Sequence, residues 1–132
     1  MEEIVVCPEE AAVVASFVHC FLVKGDKAVL FEPFNPKYRK MLELKGIDVI
    51  VFNPEEDRLE NLETRLDEKV RMVLFSNPGY TSGKIYTKDE LQIIANCVGQ
   101  YEHIAVLADE SYHKFIFDNR EHTYFSQLEG MD

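Results

Sequence analysis

Val70-Arg71-Met72-Val73-Leu74-Phe75 runs directly into Ser76-Asn77-Pro78-Gly79-Tyr80-Thr81-Ser82-Gly83, and the segment Thr87 to Cys97 then leads to Ile104-Ala105-Val106-Leu107-Ala108-Asp109-Glu110-Ser111-Tyr112. Two short apolar runs are separated by a loop of turn-forming residues and a stretch of helical period, which is the pattern of a β-α-β unit. Both runs are apolar at successive positions rather than at alternate ones. Strands covered on both faces of a parallel sheet read this way. Thr87 and Glu90 stand in the spacing of a capping box at the start of the intervening helix.

The same punctuation continues toward the N-terminus. Ile4-Val5-Val6-Cys7 reads as a strand that stops at Pro8, a residue suited to the first turn of a helix. Ala11, Val14, Ala15, Val18, Phe21 and Leu22 follow at helical steps. Gly25-Asp26 turns into the strand Ala28 to Phe31, and a helix near Tyr38 to Leu44 ends at Gly46, the expected C-cap. Ile47 to Phe52 is the next strand and Leu59 to Leu66 the next helix, while Lys114 to Asp118 reads as a short edge strand. These elements predict one domain over residues 1–132, a three-layer α/β fold with a mainly parallel sheet and helices on both faces.

Composition supports a folded chain. The 132 residues carry 14 basic and 24 acidic side chains, a net charge of −10, and 46% are hydrophobic, enough to close a core. So acidic a surface repels a phosphate backbone, so nucleic acid is not expected as a partner. The longest apolar stretch, Ala11 to Val23, is interrupted by Ser16 and His19 and falls short of the roughly 20 residues that cross a bilayer, so no membrane span is expected. No signal sequence is read at Met1-Glu2-Glu3, and a cytoplasmic location is expected. Cys7, Cys20 and Cys97 are odd in number and lack metal or disulfide spacing, which predicts buried free thiols. His19 is expected in the core or at an interface. His103, His113 and His122 are expected at the surface, and no metal site is read.

Open α/β sheets bind ligands beyond the carboxyl ends of their strands, which selects Cys7 to Ala11, Ser76 to Gly83 and Asp109 to Tyr112. The Asn77 amide can donate to a ligand oxygen, although Asn, Pro, Gly and Ser also build ordinary crossover loops. Asp109 ends the most apolar strand and needs a cationic or hydrogen-bonding counterpart there. It serves equally well as a cap on the amides of the following turn.

In this order the two loops resemble the central segment of the class I/II aminotransferases, the fold-type I enzymes that depend on pyridoxal phosphate. The family pattern N-P-x-N-P-T-G is similar to Asn77-Pro78-Gly79-Tyr80-Thr81-Ser82-Gly83, and its D-E-x-Y to Asp109-Glu110-Ser111-Tyr112. Lys24-Gly25-Asp26-Lys27-Ala28-Val29-Leu30 resembles P-G-D-x-V-L-V, and Glu32-Pro33-Phe34-Asn35-Pro36-Lys37-Tyr38 resembles D-P-x-Y-P-x-Y. The resemblance implies pyridoxal phosphate as cofactor, with Asp109 beside its ring nitrogen and Asn77 and Tyr112 on its phenolic oxygen. It implies amino-acid and 2-oxo-acid substrates. Because the family supplies further sheet strands from outside this segment, an apolar edge or face should be exposed, so a homo-oligomer is expected.

The chain also departs from the pattern. The family's cofactor-bonding lysine lies on a strand beyond the matched segment, and its small second domain with the substrate-binding arginine lies outside these residues. No lysine here is given that role, Lys114 included, so no catalytic residue is assigned and the chain alone is expected to be inactive. Where the family cradles the phosphate with small and hydroxyl residues, the positions read Cys7-Pro8-Glu9-Glu10-Ala11. Asn35 stands where an aromatic ring commonly stacks on the pyridine, with Phe34 beside it pointing the other way in an extended segment. These departures leave a second reading, a cofactor-free scaffold or dimerisation module of the same ancestry. A third, an unrelated flavodoxin-like domain, would make the loop matches accidental.

Overall fold

The computed structural model describes residues 4–131. Four strands, β1 (Lys27–Phe31), β2 (Asp48–Phe52), β3 (Val70–Ser76) and β4 (Ala105–Asp109), form one sheet in the order β2-β1-β3-β4. All three pairings are parallel, so the crossovers between them must carry other elements. These are α2 (Pro36–Lys45) between β1 and β2, a 3-10 segment (Leu59–Arg65) between β2 and β3, and α3 (Lys88–Val98) between β3 and β4. A further helix, α1 (Glu10–Phe21), precedes β1.

Strand pleating divides the core into two halves. Ala28 and Leu30 of β1 with Met72 and Leu74 of β3 point to one face, where α1 packs through Ala11, Val14 and Val18 and α2 through Tyr38 and Leu42. Val29, Phe31, Val73 and Phe75 point to the other, against Leu59 and Leu62 of the 3-10 segment and Leu91 and Ile94 of α3. Helices therefore cover both faces, and the chain has the three-layer α/β architecture with a parallel sheet.

Individual elements follow local chemistry. Asn35 caps α2 by accepting from the Lys37 N–H at 3.1 Å, Pro36 occupies the first turn, and Gly46 ends the helix at φ 76°. The position where the family commonly has a stacking aromatic is thus a helix cap here, and Phe34 packs partly buried against the α1–α2 side of the core. Thr87 and Glu90 make the full capping box of α3.

Several expectations do not hold. Residues 4–7 form no strand, and Ile4, Val5 and Val6 are 75%, 83% and 92% exposed. Their β-branched composition is insufficient without a neighbouring strand to complete a ladder. Pro8 lies outside α1, which starts at Glu10 with Glu9 as its N-cap. Leu59–Arg65 is 3-10 rather than α-helical, consistent with the three-residue spacing of its buried Leu59 and Leu62. Lys114 to Asp118 is not a strand: Ser111–Lys114 is a turn, and Asp118 and Asn119 sit at φ 60° and 54°, which ends any extension. Of the cysteines only Cys97 is buried, and Cys20 is exposed. His19 is exposed, whereas the His122 side chain is only 8% exposed. Among the described residues no helix is long and apolar enough to cross a membrane.

Candidate functional site

A cleft of about 660 Å³ opens between the N-terminal end of α1 and the carboxyl ends of β3 and β4. Its apolar wall includes Val14, Leu74 and Leu107, and its polar residues are Glu9, Glu10, Tyr38, Asp109, Glu110 and Ser111. The topology explains the place. β4 delivers Asp109 as its last residue, paired in the ladder with Ser76, while α2 brings Tyr38 up from the layer below.

Asp109 is fixed from both sides. The Tyr38 hydroxyl donates to its Oδ2 at 2.9 Å, and the Ser111 N–H and hydroxyl donate to its Oδ1 at 3.1 and 2.6 Å. Oδ1 therefore caps the turn after β4, and Oδ2 takes its hydrogen-bonding counterpart from the protein itself. Tyr38 is fully buried, and burial followed by the neighbouring Asp109 charge pushes its phenol above the ordinary tyrosine value. The phenol keeps its proton and remains a donor throughout the physiological range. Sequence alone places Tyr38 at the start of a helix and in a motif but does not mark it as a site residue. The signal for it was the need of Asp109 for a counterpart together with the rule that a buried tyrosine hydroxyl finds one.

The opposite wall is acidic. Glu9 has extended backbone at φ −156° and makes no side-chain cap to α1, its carboxylate lying 3.5 Å from Lys37 Nζ. Glu10 Oε1 accepts from Asn35 Nδ2 at 3.4 Å. Among the described residues that line the cleft, none is basic.

The other two predicted site residues lie apart from this cleft. Asn77 is fully buried, and its backbone N–H donates to the Asp109 carbonyl at 2.9 Å, continuing the β3–β4 ladder. Its side chain is engaged with backbone, Oδ1 accepting from the Tyr86 N–H at 3.1 Å and Nδ2 donating to the Thr123 carbonyl at 3.4 Å. Tyr112 is exposed on the turn after β4, edge-on to Phe115, in a neighbouring groove of about 570 Å³ with Tyr80, Phe117 and Arg120. Asp109 alone of the three lines the cleft beside α1.

Residues 1–131 match the family profile of aminotransferase class I and II. The chain is similar to the kynurenine–oxoglutarate transaminase of Dictyostelium discoideum, 31% identical over 82% of this chain and 29% of the relative. It is also similar to the aspartate aminotransferase of Pinus pinaster, 27% identical over 90% of this chain and 25% of the relative. Among solved structures, N-succinyldiaminopimelate aminotransferase from Mycobacterium tuberculosis superposes with a TM-score of 0.84 at 22% identity, covering 92% of this chain and 33% of the other. Cystalysin from Treponema denticola, solved with a pyridoxal 5'-phosphate cofactor, gives 0.80 at 22% identity, covering 93% of this chain and 33% of the other. The chain thus spans about a quarter to a third of the length of the relatives it matches. Matched along nearly its whole length, and sharing its fold with solved aminotransferases, it belongs to the class I and II aminotransferase family.

Proposed function

We propose that this chain is the cofactor-proximal part of the large domain of a pyridoxal phosphate-dependent aminotransferase, which passes an amino group from an amino acid to a 2-oxo acid. One observation carries the reading: Asp109 stands at the carboxyl end of β4, facing the cleft, with both carboxylate oxygens fixed by Tyr38 and Ser111. When bound, the cofactor supplies an electron sink, which works best while a carboxylate keeps its ring nitrogen protonated. Asp109 fits that task, because a cationic pyridinium is the counterpart this carboxylate would hold from the cleft side. The phosphate end fits poorly, since Glu9 and Glu10 occupy the α1 wall where an anion would lie. Tyr112 is proposed as a further cofactor contact on the strength of the family motif, whereas Asn77, fully buried with its amide on the Tyr86 N–H and the Thr123 carbonyl, is proposed to hold the loop after β3.

The remaining assignments rest on the same footing. Among the described residues the outer edge of β4 has no partner strand, which supports self-association of this 132-residue chain, and the free thiols Cys7, Cys20 and Cys97 suit the cytoplasm, a reducing compartment.

The test is a titration of the 132-residue chain with pyridoxal phosphate and with pyridoxal, followed by absorbance, beside an Asp109→Ala variant. Saturable binding of at least one form, lost in the variant, is the expected result. Binding that persists in Asp109→Ala, or is absent for both forms, removes the reading. The acidic wall would then favour the scaffold of the same ancestry.

A further inference from the structure

We infer that the cleft takes the phosphate-free pyridine vitamers in preference to their phosphate esters, with the cationic pyridoxamine the best ligand of the class. The inference rests on the reading of Asp109 as ring-nitrogen partner and adds the selectivity of that site. The site stands on the position of Asp109 in the fold, on its fixed carboxylate and on the family match, and the glutamates decide which ligand charge it tolerates.

Glu9, Glu10, Asp109 and Glu110 all line the same cleft, and no lysine or arginine lines it among the described residues. One carboxylate is matched by the pyridinium nitrogen. Glu9 and Glu10 present negative charge to the rest of the ligand, whereas the Glu110 carboxylate is engaged elsewhere, accepting from the Phe125 N–H at 3.0 Å and lying 3.4 Å from His122 Nε2. Lys37 compensates Glu9 only in part, from α2 and at 3.5 Å. Glu10 is held toward the cleft by Asn35, a neutral donor that leaves its charge intact. The α1 terminus is where a helix would ordinarily favour an anion, yet Glu9 at the N-cap and Glu10 in the first turn already place two carboxylates there. A phosphate monoester brings close to two negative charges at neutral pH, whereas the ammonium of pyridoxamine brings one positive charge. The acidic wall repels the first and attracts the second.

The probes are pyridoxamine and pyridoxamine 5'-phosphate, a pair that differs only in the ester and forms no imine with surface lysines. Their own fluorescence reads binding to the 132-residue chain, to Asp109→Ala and to the double variant Glu9→Gln, Glu10→Gln. At low ionic strength pyridoxamine is expected to bind about tenfold more tightly than its phosphate. Because Glu9 and Glu10 are exposed, the gap should shrink at high salt. It should also shrink in the double variant, with circular dichroism checking that α1 remains formed. Equal or tighter binding of the phosphate ester overturns the inference and leaves the reading of Asp109 intact. A preference that ignores both salt and the double variant overturns the assignment to the glutamates. Failure of both vitamers to bind through Asp109 overturns inference and reading together.

Discussion

At the scale of single residues, Tyr38 ties the core to the cleft. Its ring fills the α1–α2 side of the core, while its hydroxyl reaches Asp109. The two contributions separate by substitution. Tyr38→Phe keeps the ring and removes one hydrogen bond to a charged group, an expected cost of about 1.5–3 kcal/mol. Tyr38→Ala also opens a cavity and should cost about 3–5 kcal/mol, both read from urea midpoints. Alkaline stability follows from the same group. Burial raises the Tyr38 and Tyr86 phenols above the ordinary tyrosine value of 10.0, so the folded state holds those protons more tightly than the unfolded chain. Their contribution is complete below pH 10.0 and is lost as pH rises beyond it, so Tyr38→Phe should flatten the alkaline limb of a stability profile. A limb unchanged in slope would count against this burial argument.

At the scale of elements, α3 shows how far sequence chemistry reaches. Thr87 accepts from the Glu90 N–H at 3.2 Å, and Glu90 Oε2 accepts from the Thr87 N–H at 2.8 Å. Thr87→Ala is expected to cost about 1 kcal/mol, measured by thermal unfolding. Burial alone would raise the Glu90 carboxyl, but the Thr87 N–H, the Lys84 charge and the Thr87 hydroxyl outweigh it and hold the group below the ordinary glutamate value of 4.5. The resulting stability is present above pH 4.5 and falls away as pH drops through the depressed value. Glu90→Gln, which keeps the box, should weaken that acid dependence. The cap of α3, the Gly46 stop of α2 and the four strands were legible because each depends on residues close in sequence. What was not legible depended on distant partners. Ile4 to Cys7 has strand composition but nothing to pair with, and Phe115 to Phe117 has it too but is broken by two left-handed residues. Within the site, the need of Asp109 for a partner was visible, but Tyr38, 71 residues away, could be found only by folding. Asn77 carried the right chemistry in sequence, yet the fold directs its amide to Tyr86 and Thr123.

At the scale of the whole molecule, the sheet is open where it matters. Among the described residues β4 pairs with β3 on one side only, and His103-Ile104-Ala105-Val106-Leu107-Ala108 contains no proline, lysine or acidic residue to discourage a further strand. Sedimentation equilibrium should therefore show species larger than the 15.3 kDa monomer, increasing with salt as the net charge of −10 is screened. A sharp monomer at high concentration would remove the case for self-association. The ladder that leaves this edge bare also aims the site, because Asp109 is the last rung opposite Ser76. Sliding β4 by a single residue would turn its carboxylate to the opposite face, away from Tyr38. Binding competence is thereby a readout of strand alignment: an ensemble in which β4 slips loses affinity in proportion to the slipped fraction, although its helices and overall compactness remain unchanged.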